Sequence, residues 1–398
     1  MKKNLYILAP NDRFNYGDLI FSKVLLRYFQ KDVDNIIFCS TTTADLTDRG
    51  GDSVLSSHVL YKPNKCEENY LIVAGGECML QSWFVIMQYV NNKVYLIEKL
   101  LRTLHIHNRF TNHQIIDLMS WIIRKVLGYR TFYPFSVGKC ELPYFKGVYY
   151  NSLGGSWLKE DNKILRKRIN RNILNSVDYI SVRDLDTKEA LSSVKIDSII
   201  IPDCAILMSE YFDNSFLTLN SSVIDEYNLS RKTYIFFQIN VQLEKRFHKE
   251  VQSILSKLIS DSYHIVLCPI GTALGHDDDV ALKNITNELH SDSLTLVDKP
   301  SLWDIMTLIN NATCYIGSSL HGIITSMSYE TPFIGYNVSK VKAYINMWAK
   351  DQRRFHYTDN LLDIPKMINT TIRTAYTCQE QKEIVKQSLD RIKSMICQ

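Results

Sequence analysis

Short runs rich in β-branched and aromatic residues alternate with longer amphipathic segments along this chain, and the alternation occurs twice. Such alternation predicts βα units wound around parallel sheets. The strand candidates of the first half are Leu5 to Ala9, Asn35 to Cys39, Tyr70 to Ala74, Gly147 to Leu153, Tyr179 to Arg183 and Ser198 to Pro202. Those of the second half are Tyr234 to Ile239, His264 to Pro269, Leu294 to Val297, Cys314 to Gly317 and Pro332 to Tyr336. At 398 residues the chain exceeds one compact core and fits two α/β domains, 1–208 and 233–375. Residues 209–232 are polar and without a clear period, and are read as the linker. Ile384, Val385, Leu389, Ile392 and Ile396 recur at helical spacing, which predicts a closing helix within 376–398.

Charge narrows the class of partner. With 46 basic and 42 acidic side chains the net charge is only +4, which gives no field for a polyanion, so nucleic acid is not expected. The nine cysteines are scattered, with no CxxC pair and no Cys/His cluster at zinc spacing, so no metal is expected and a reducing cytoplasm suits them. The first residues read as a buried strand, because their apolar stretch is too short for a secretory leader. The longest apolar stretch, Leu71 to Val90, is interrupted by Gly75, Gly76 and Glu77 and does not read as a membrane span. Residues 94–130 stand apart as basic and amphipathic. They read either as an insertion helix pair with a solvated face or as a surface that rests on anionic lipid.

Ligands of open α/β sheets bind outside the carboxyl ends of the strands, so the post-strand loops carry the functional candidates. The first strand runs into Asn11 to Asp18, where Asn15 is polar, Gly17 permits a tight turn, and Asp18 is placed to cap a helix from about Leu19. The third strand ends in Gly75-Gly76, a small-residue turn that lets a ligand approach backbone N–H groups, and Gly154-Gly155-Ser156 repeats the device. Arg183 at a strand end could present a bidentate cation to an anion, or form a structural pair with Asp184 or Asp186. Asp203 supplies a carboxylate after the last strand of the first half, or only caps. In the second half, His276 precedes Asp277, Asp278 and Asp279 at a helix start. The fullest signal is Cys314 to Ser326, where Ser318, Ser319, His321 and Gly322 place two hydroxyls, free N–H groups and an imidazole at one helix N-terminus.

These motifs in this order, Asn15-Tyr16-Gly17-Asp18, the Gly75-Gly76 turn, Ser181-Val182-Arg183-Asp184, Ile201-Pro202-Asp203, Ser318 to Ser326 and Thr331 to Tyr336, resemble those of polysaccharide pyruvyl transferases. The resemblance spans nearly the whole chain. It implies two Rossmann-like domains facing a cleft, similar to the glycosyltransferase type B architecture. It also implies transfer of the enolpyruvyl part of phosphoenolpyruvate to a sugar hydroxyl, commonly as a cyclic ketal, in bacterial surface polysaccharide biosynthesis. On that reading His321 is the general acid, Ser318, Ser319 and nearby N–H groups hold phosphate, Arg183 clamps an anion, and Asp18 is the base for the acceptor hydroxyl. Phosphoenolpyruvate is then a donor substrate, and no cofactor or metal is required. The acceptor sugar is lipid-linked or nucleotide-linked, and the location is cytoplasmic, either free or with peripheral membrane contact through 94–130. Many members of the family resemble Arg-Leu-His where this chain has Ser319-Leu320-His321, so Lys340, Lys342, Arg353 or Arg354 would have to supply the missing cation. The competing readings are a glycosyltransferase with a nucleotide-sugar donor and a noncatalytic sugar-binding partner in polysaccharide assembly.

Overall fold

A computed structural model of the chain describes residues 1–103, 113–349 and 356–398. Its first half is a sheet of eight strands: β1 (Lys3–Leu8), β2 (Asn35–Ser40), β3 (Ala44–Asp45), β4 (Ser53–Ser56), β5 (Glu68–Ala74), β6 (Gly147–Leu153), β7 (Tyr179–Val182) and β8 (Ile199–Ile200). The second half is a sheet of six: β9 (Tyr234–Gln238), β10 (His264–Leu267), β11 (Leu294–Leu296), β12 (Cys314–Gly317), β13 (Phe333–Tyr336) and β14 (Tyr357–Thr358). Every described strand pair is parallel except β3 with β4 at the edge of the first sheet. Such strands are covered on both faces, which is why β1, β5, β6 and β9 read as nearly unbroken apolar runs.

The two faces of the central strands enter different cores. Leu5 and Ile7 of β1 join a large core that also contains Tyr234 and Phe236 of β9, whereas Tyr6 and Leu8 face a second core with Leu71 and Val73. Ile235 and Phe237 face a third. One continuous apolar core therefore lies between the sheets and joins the two halves. Residues 209–232 carry short helices, including Asn214–Asn220, which Asp213 caps through Phe216 N–H at 2.8 Å. The helix Gln379–Cys397 returns to the first half, where Ser388 Oγ meets the Tyr179 hydroxyl at 2.9 Å and Lys3 Nζ donates to the Ile396 carbonyl at 2.8 Å.

Strand order sets where a ligand can bind. The first sheet runs β3-β4-β2-β1-β5-β6-β7-β8 and the second β11-β10-β9-β12-β13-β14. The chain changes direction between β1 and β5 in one and between β9 and β12 in the other, and open sheets bind ligands beyond the carboxyl ends of the strands at such points. The two switch points face each other. The loop after β1 pairs with the loop after β10 through an antiparallel bridge between Asn15 and Gly271, and the Tyr16 N–H donates to the Ile270 carbonyl at 3.1 Å. Deeper in, the Tyr16 hydroxyl shares a 2.7 Å hydrogen bond with Thr325.

Candidate active site

Between the switch points lies a cavity of about 410 Å³ walled by Arg13, Asn15, Asp18 and Gly76 from the first half and by His276, Ser318, Ser319 and His321 from the second. A second space of about 530 Å³ adjoins it, and Glu77, Arg183, Leu320 and Lys340 border both. The cleft is thus lined from segments that follow strands β1, β5, β7, β10, β12 and β13, as the strand pattern implies.

Helix formation after β1 begins earlier than expected, at Tyr16 rather than Leu19, with Asn15 at the N-cap position and no side-chain cap. Asp18 therefore does not cap. It lies in the first helical turn, where its carboxylate accepts from Asn15 Nδ2 at 2.9 Å and stands 3.7 Å from Arg13. Nor does Gly17 serve a turn, since it is helical. A Cβ at this position would lie 1.8 Å from Nδ1 of His321, so the missing side chain makes room for that imidazole. Phe21, one turn later, meets the same ring edge-on at 5.4 Å.

His321 sits in the first turn of the helix Leu320–Ser328. Its Nε2 is buried without a hydrogen-bond partner and faces Asp203 Oδ2 at 3.6 Å, an ion-pair separation rather than a hydrogen bond. Nδ1 lies beside Gly17. Asp203 belongs to the first half and is fully buried. Burial alone would raise its carboxyl pKa, but His321 and Arg183 outweigh it and hold the pKa below the usual carboxylate value.

Arg183 differs from the free clamp that the sequence suggests. Its guanidinium donates to Asp203 at 3.1 Å and to Glu77 at 3.3 Å, and the side chain is almost wholly enclosed. The pairs expected with Asp184 or Asp186 do not form. Asp184 instead caps the helix Leu185–Ser192 through Thr187 N–H, and Asp186 pairs with Lys159. Glu77 accepts from Ser156 Oγ at 2.7 Å, and Gly154 leaves space for Arg183, because a Cβ there would stand 2.8 Å from the guanidinium Nε. Two carboxylates therefore neutralise Arg183, and it organises Asp203 and Glu77.

The helix N-terminus after β12 is also partly occupied. Gln238, the last residue of β9, accepts the Ser318 and Ser319 N–H groups, each at 3.0 Å, on its side-chain oxygen. Its amide nitrogen donates to Asp278 at 2.8 Å. Ser319 Oγ caps the Gly322 N–H at 3.4 Å. Gly322 faces its own sheet, since a Cβ there would collide with the Tyr315 hydroxyl, and Gly75, at φ +137°, packs against Pro10 while its neighbour Gly76 faces the cleft. Asp278 folds back into the protein rather than serving only the helix dipole. Its Oδ2 accepts Ile270 N–H at 3.1 Å and Gly271 N–H at 3.0 Å as well as Gln238, and burial pushes its pKa up to about 7.

The unpaired cation of the site is Lys340, in the first turn of the helix Ser339–Trp348. Among the described residues no carboxylate pairs with it, and it borders both parts of the cleft. Its surface remains open to that cleft, yet the surrounding protein, and next Arg183, lower its pKa. Of the other cations expected to replace arginine, Lys342 pairs with Asp359 and Arg353 and Arg354 lie outside the described residues. His276 lines the cleft with its ring 5.7 Å from that of Tyr89, and burial lowers its pKa. Sequence reasoning missed Gln238, Tyr89 and the bridging role of Glu77. A polar residue closing the apolar run Tyr234 to Gln238 was the available signal for the first.

The family model described as polysaccharide pyruvyl transferase matches residues 15–340. A comparison with curated proteins finds no match. Among solved structures, the chain resembles UDP-GlcNAc 2-epimerase of Methanocaldococcus jannaschii, determined with UDP-GlcNAc and UDP, at 11% identity and TM-score 0.55 over 99% of both chains. It also resembles UDP-N-acetylglucosamine 2-epimerase of Rickettsia bellii at 12% identity and TM-score 0.54, over 100% of this chain and 97% of that one. Anabaena Alr3699/HepE, determined with UDP-glucose, matches at 11% identity and TM-score 0.50 over 99% and 98%. At these identities the likeness shows a shared two-domain fold of the glycosyltransferase type B kind.

Proposed function

The chain belongs to the polysaccharide pyruvyl transferase family, and on that premise we propose that its cleft moves a pyruvyl group from phosphoenolpyruvate to hydroxyls of a sugar in surface polysaccharide biosynthesis. The observation that carries this reading is the ammonium of Lys340, which among the described residues pairs with no carboxylate, in a cleft that the imidazole of His321 also lines. A small donor bearing a carboxylate and a phosphate needs a cation that the protein has not already neutralised, and Arg183 is already engaged.

In this proposal Lys340 holds an anionic group of the donor, and the Ser318 hydroxyl and His276 complete the pocket. His321 carries the proton on Nδ1, while Asp203, facing Nε2, orients the ring. Protonation of the donor's methylene carbon makes the adjacent carbon electrophilic. A sugar hydroxyl adds there, its proton passing to Asp18, and the carbon–oxygen bond to phosphate breaks. Addition of a second hydroxyl closes the ketal, so two hydroxyl protons are lost, one balanced by the new methyl hydrogen and one released with phosphate. Arg183 and Glu77 are positioning residues.

Thermal stabilisation of the purified chain by phosphoenolpyruvate, measured beside a panel of nucleotide sugars, tests the donor. A shift with phosphoenolpyruvate that Lys340→Met abolishes is expected. A shift with a nucleotide sugar alone would replace pyruvyl transfer by glycosyl transfer.

A further inference from the structure

The helices Asn92–Thr103 and His113–Leu127 pack on a satellite core of Trp83, Phe84, Met87, Ile123 and Tyr129. An amphipathic helix that buries one stripe is expected to be polar on the other. Here the outward stripe of the second helix is apolar as well: Leu118 is 54% exposed, Trp121 54% and Val126 76%. Leu96 and Leu100 of the first helix are 60% and 57% exposed. Exposed large apolar residues gathered in this way mark a surface that another phase or molecule covers.

Charge indicates which. The described parts of these segments, 92–103 and 113–130, carry six lysines and arginines against two carboxylates. Both carboxylates are already paired, Glu98 with Arg102 at 3.0 Å and Asp117 with Lys167 at 2.9 Å. Lys93, Lys99 and Lys125 are exposed, and among the described residues no carboxylate pairs with them. Apolar side chains interspersed with unpaired ammonium groups fit an anionic lipid surface, where the former enter the acyl boundary and the latter meet headgroup phosphates. Among the described residues no helix is long and apolar enough to cross a membrane, so the contact is a resting one.

We propose that this face docks on an anionic membrane. The first helix also borders the cleft: Tyr95, Glu98, Lys99 and Arg102 line a recess of about 270 Å³ together with Tyr89, and Tyr89 walls the main cavity. Docking there sets the cleft mouth beside the lipid headgroups, within reach of a sugar carried on lipid. That last step rests on the pyruvyl-transfer reading, whereas the lipid contact does not.

Flotation of the full chain with phosphatidylcholine vesicles, with and without phosphatidylglycerol, tests the contact in the absence of donor. Binding is expected only with phosphatidylglycerol, weakened by salt, and reduced about tenfold or more in Leu118→Gln/Trp121→Gln. Both positions are exposed, so an unchanged melting temperature checks that the variant folds. Lys99→Gln/Lys125→Gln should lower binding to anionic vesicles without affecting the melt. No flotation with phosphatidylglycerol, or equal flotation of the apolar variant, would overturn the proposal. So would lipid-free self-association of the wild type that the apolar variant abolishes, which would assign the face to a second copy of the chain. A vesicle-binding protein that ignores phosphoenolpyruvate would leave the docking inference standing and remove only the donor.

Discussion

Asp203 and His321 come from opposite halves of the chain, and the carboxylate of one lies 3.6 Å from Nε2 of the other. Replacing Asp203 with Asn keeps the shape but removes the charge that faces the imidazole. The expected result is a fall in kcat of about 10²- to 10⁴-fold with little change in the donor KM. Steady-state kinetics at varied donor measure both. Full activity of the variant would show that the pair is only structural.

Lys340→Met removes an ammonium of the cleft that, among the described residues, pairs with no carboxylate. Donor KM should rise about 10- to 100-fold while the melting temperature stays put, because among the described residues Lys340 supports no ion pair. Steady-state kinetics at varied phosphoenolpyruvate separate this from a loss of kcat.

Gly17→Ala introduces the smallest possible side chain against the His321 ring, 1.8 Å from Nδ1. The ring or the helix must give way. Destabilisation of about 1–3 kcal/mol is expected from such overpacking, together with loss of most transfer activity. An alanine variant of full activity would mean that the imidazole has no fixed role.

Asp278→Asn probes a buried carboxyl. All three donors converge on one oxygen, Oδ2, so an asparagine oxygen can accept them unchanged. Burial raises the folded pKa to about 7, so between the usual carboxylate range and neutrality the folded chain holds a proton that the unfolded chain has lost. Wild-type stability should therefore fall as pH rises through that window, whereas the variant should not share this slope. Melting curves at acid, neutral and mildly alkaline pH check it: the variant should gain on the wild type as pH increases. The opposite trend would show that the three donors outweigh burial.

Long strands were legible in the sequence because parallel sheets bury both faces. Gly147–Leu153 and Cys314–Gly317 coincide with their apolar runs to the residue. The edge strands Ala44–Asp45 and Tyr357–Thr358 were not, since two residues make no run and their pairing depends on neighbours brought in by the rest of the sheet. In the cleft, Asp18, Gly76, His276, Ser318 and His321 stood at strand ends where topology places ligands. What one-dimensional reading could not supply was the partner of each group. For Arg183 a pair with its neighbours Asp184 or Asp186 was the alternative in view, because Asp203 lies 20 positions away and Glu77 lies 106. The amides after β12 looked open because the oxygen that takes them, on Gln238, comes from a strand that is distant in sequence but adjacent in the sheet.

The returning helix Gln379–Cys397 has a consequence for how the molecule is made. Its Val385, Leu389, Ile392 and Ile396 complete the same core as Leu5 and Ile7, so β1 waits for a helix far downstream of it before its sheet is covered. The first half cannot mature ahead of the second, and a shortened chain would expose apolar β-sheet rather than release a working half.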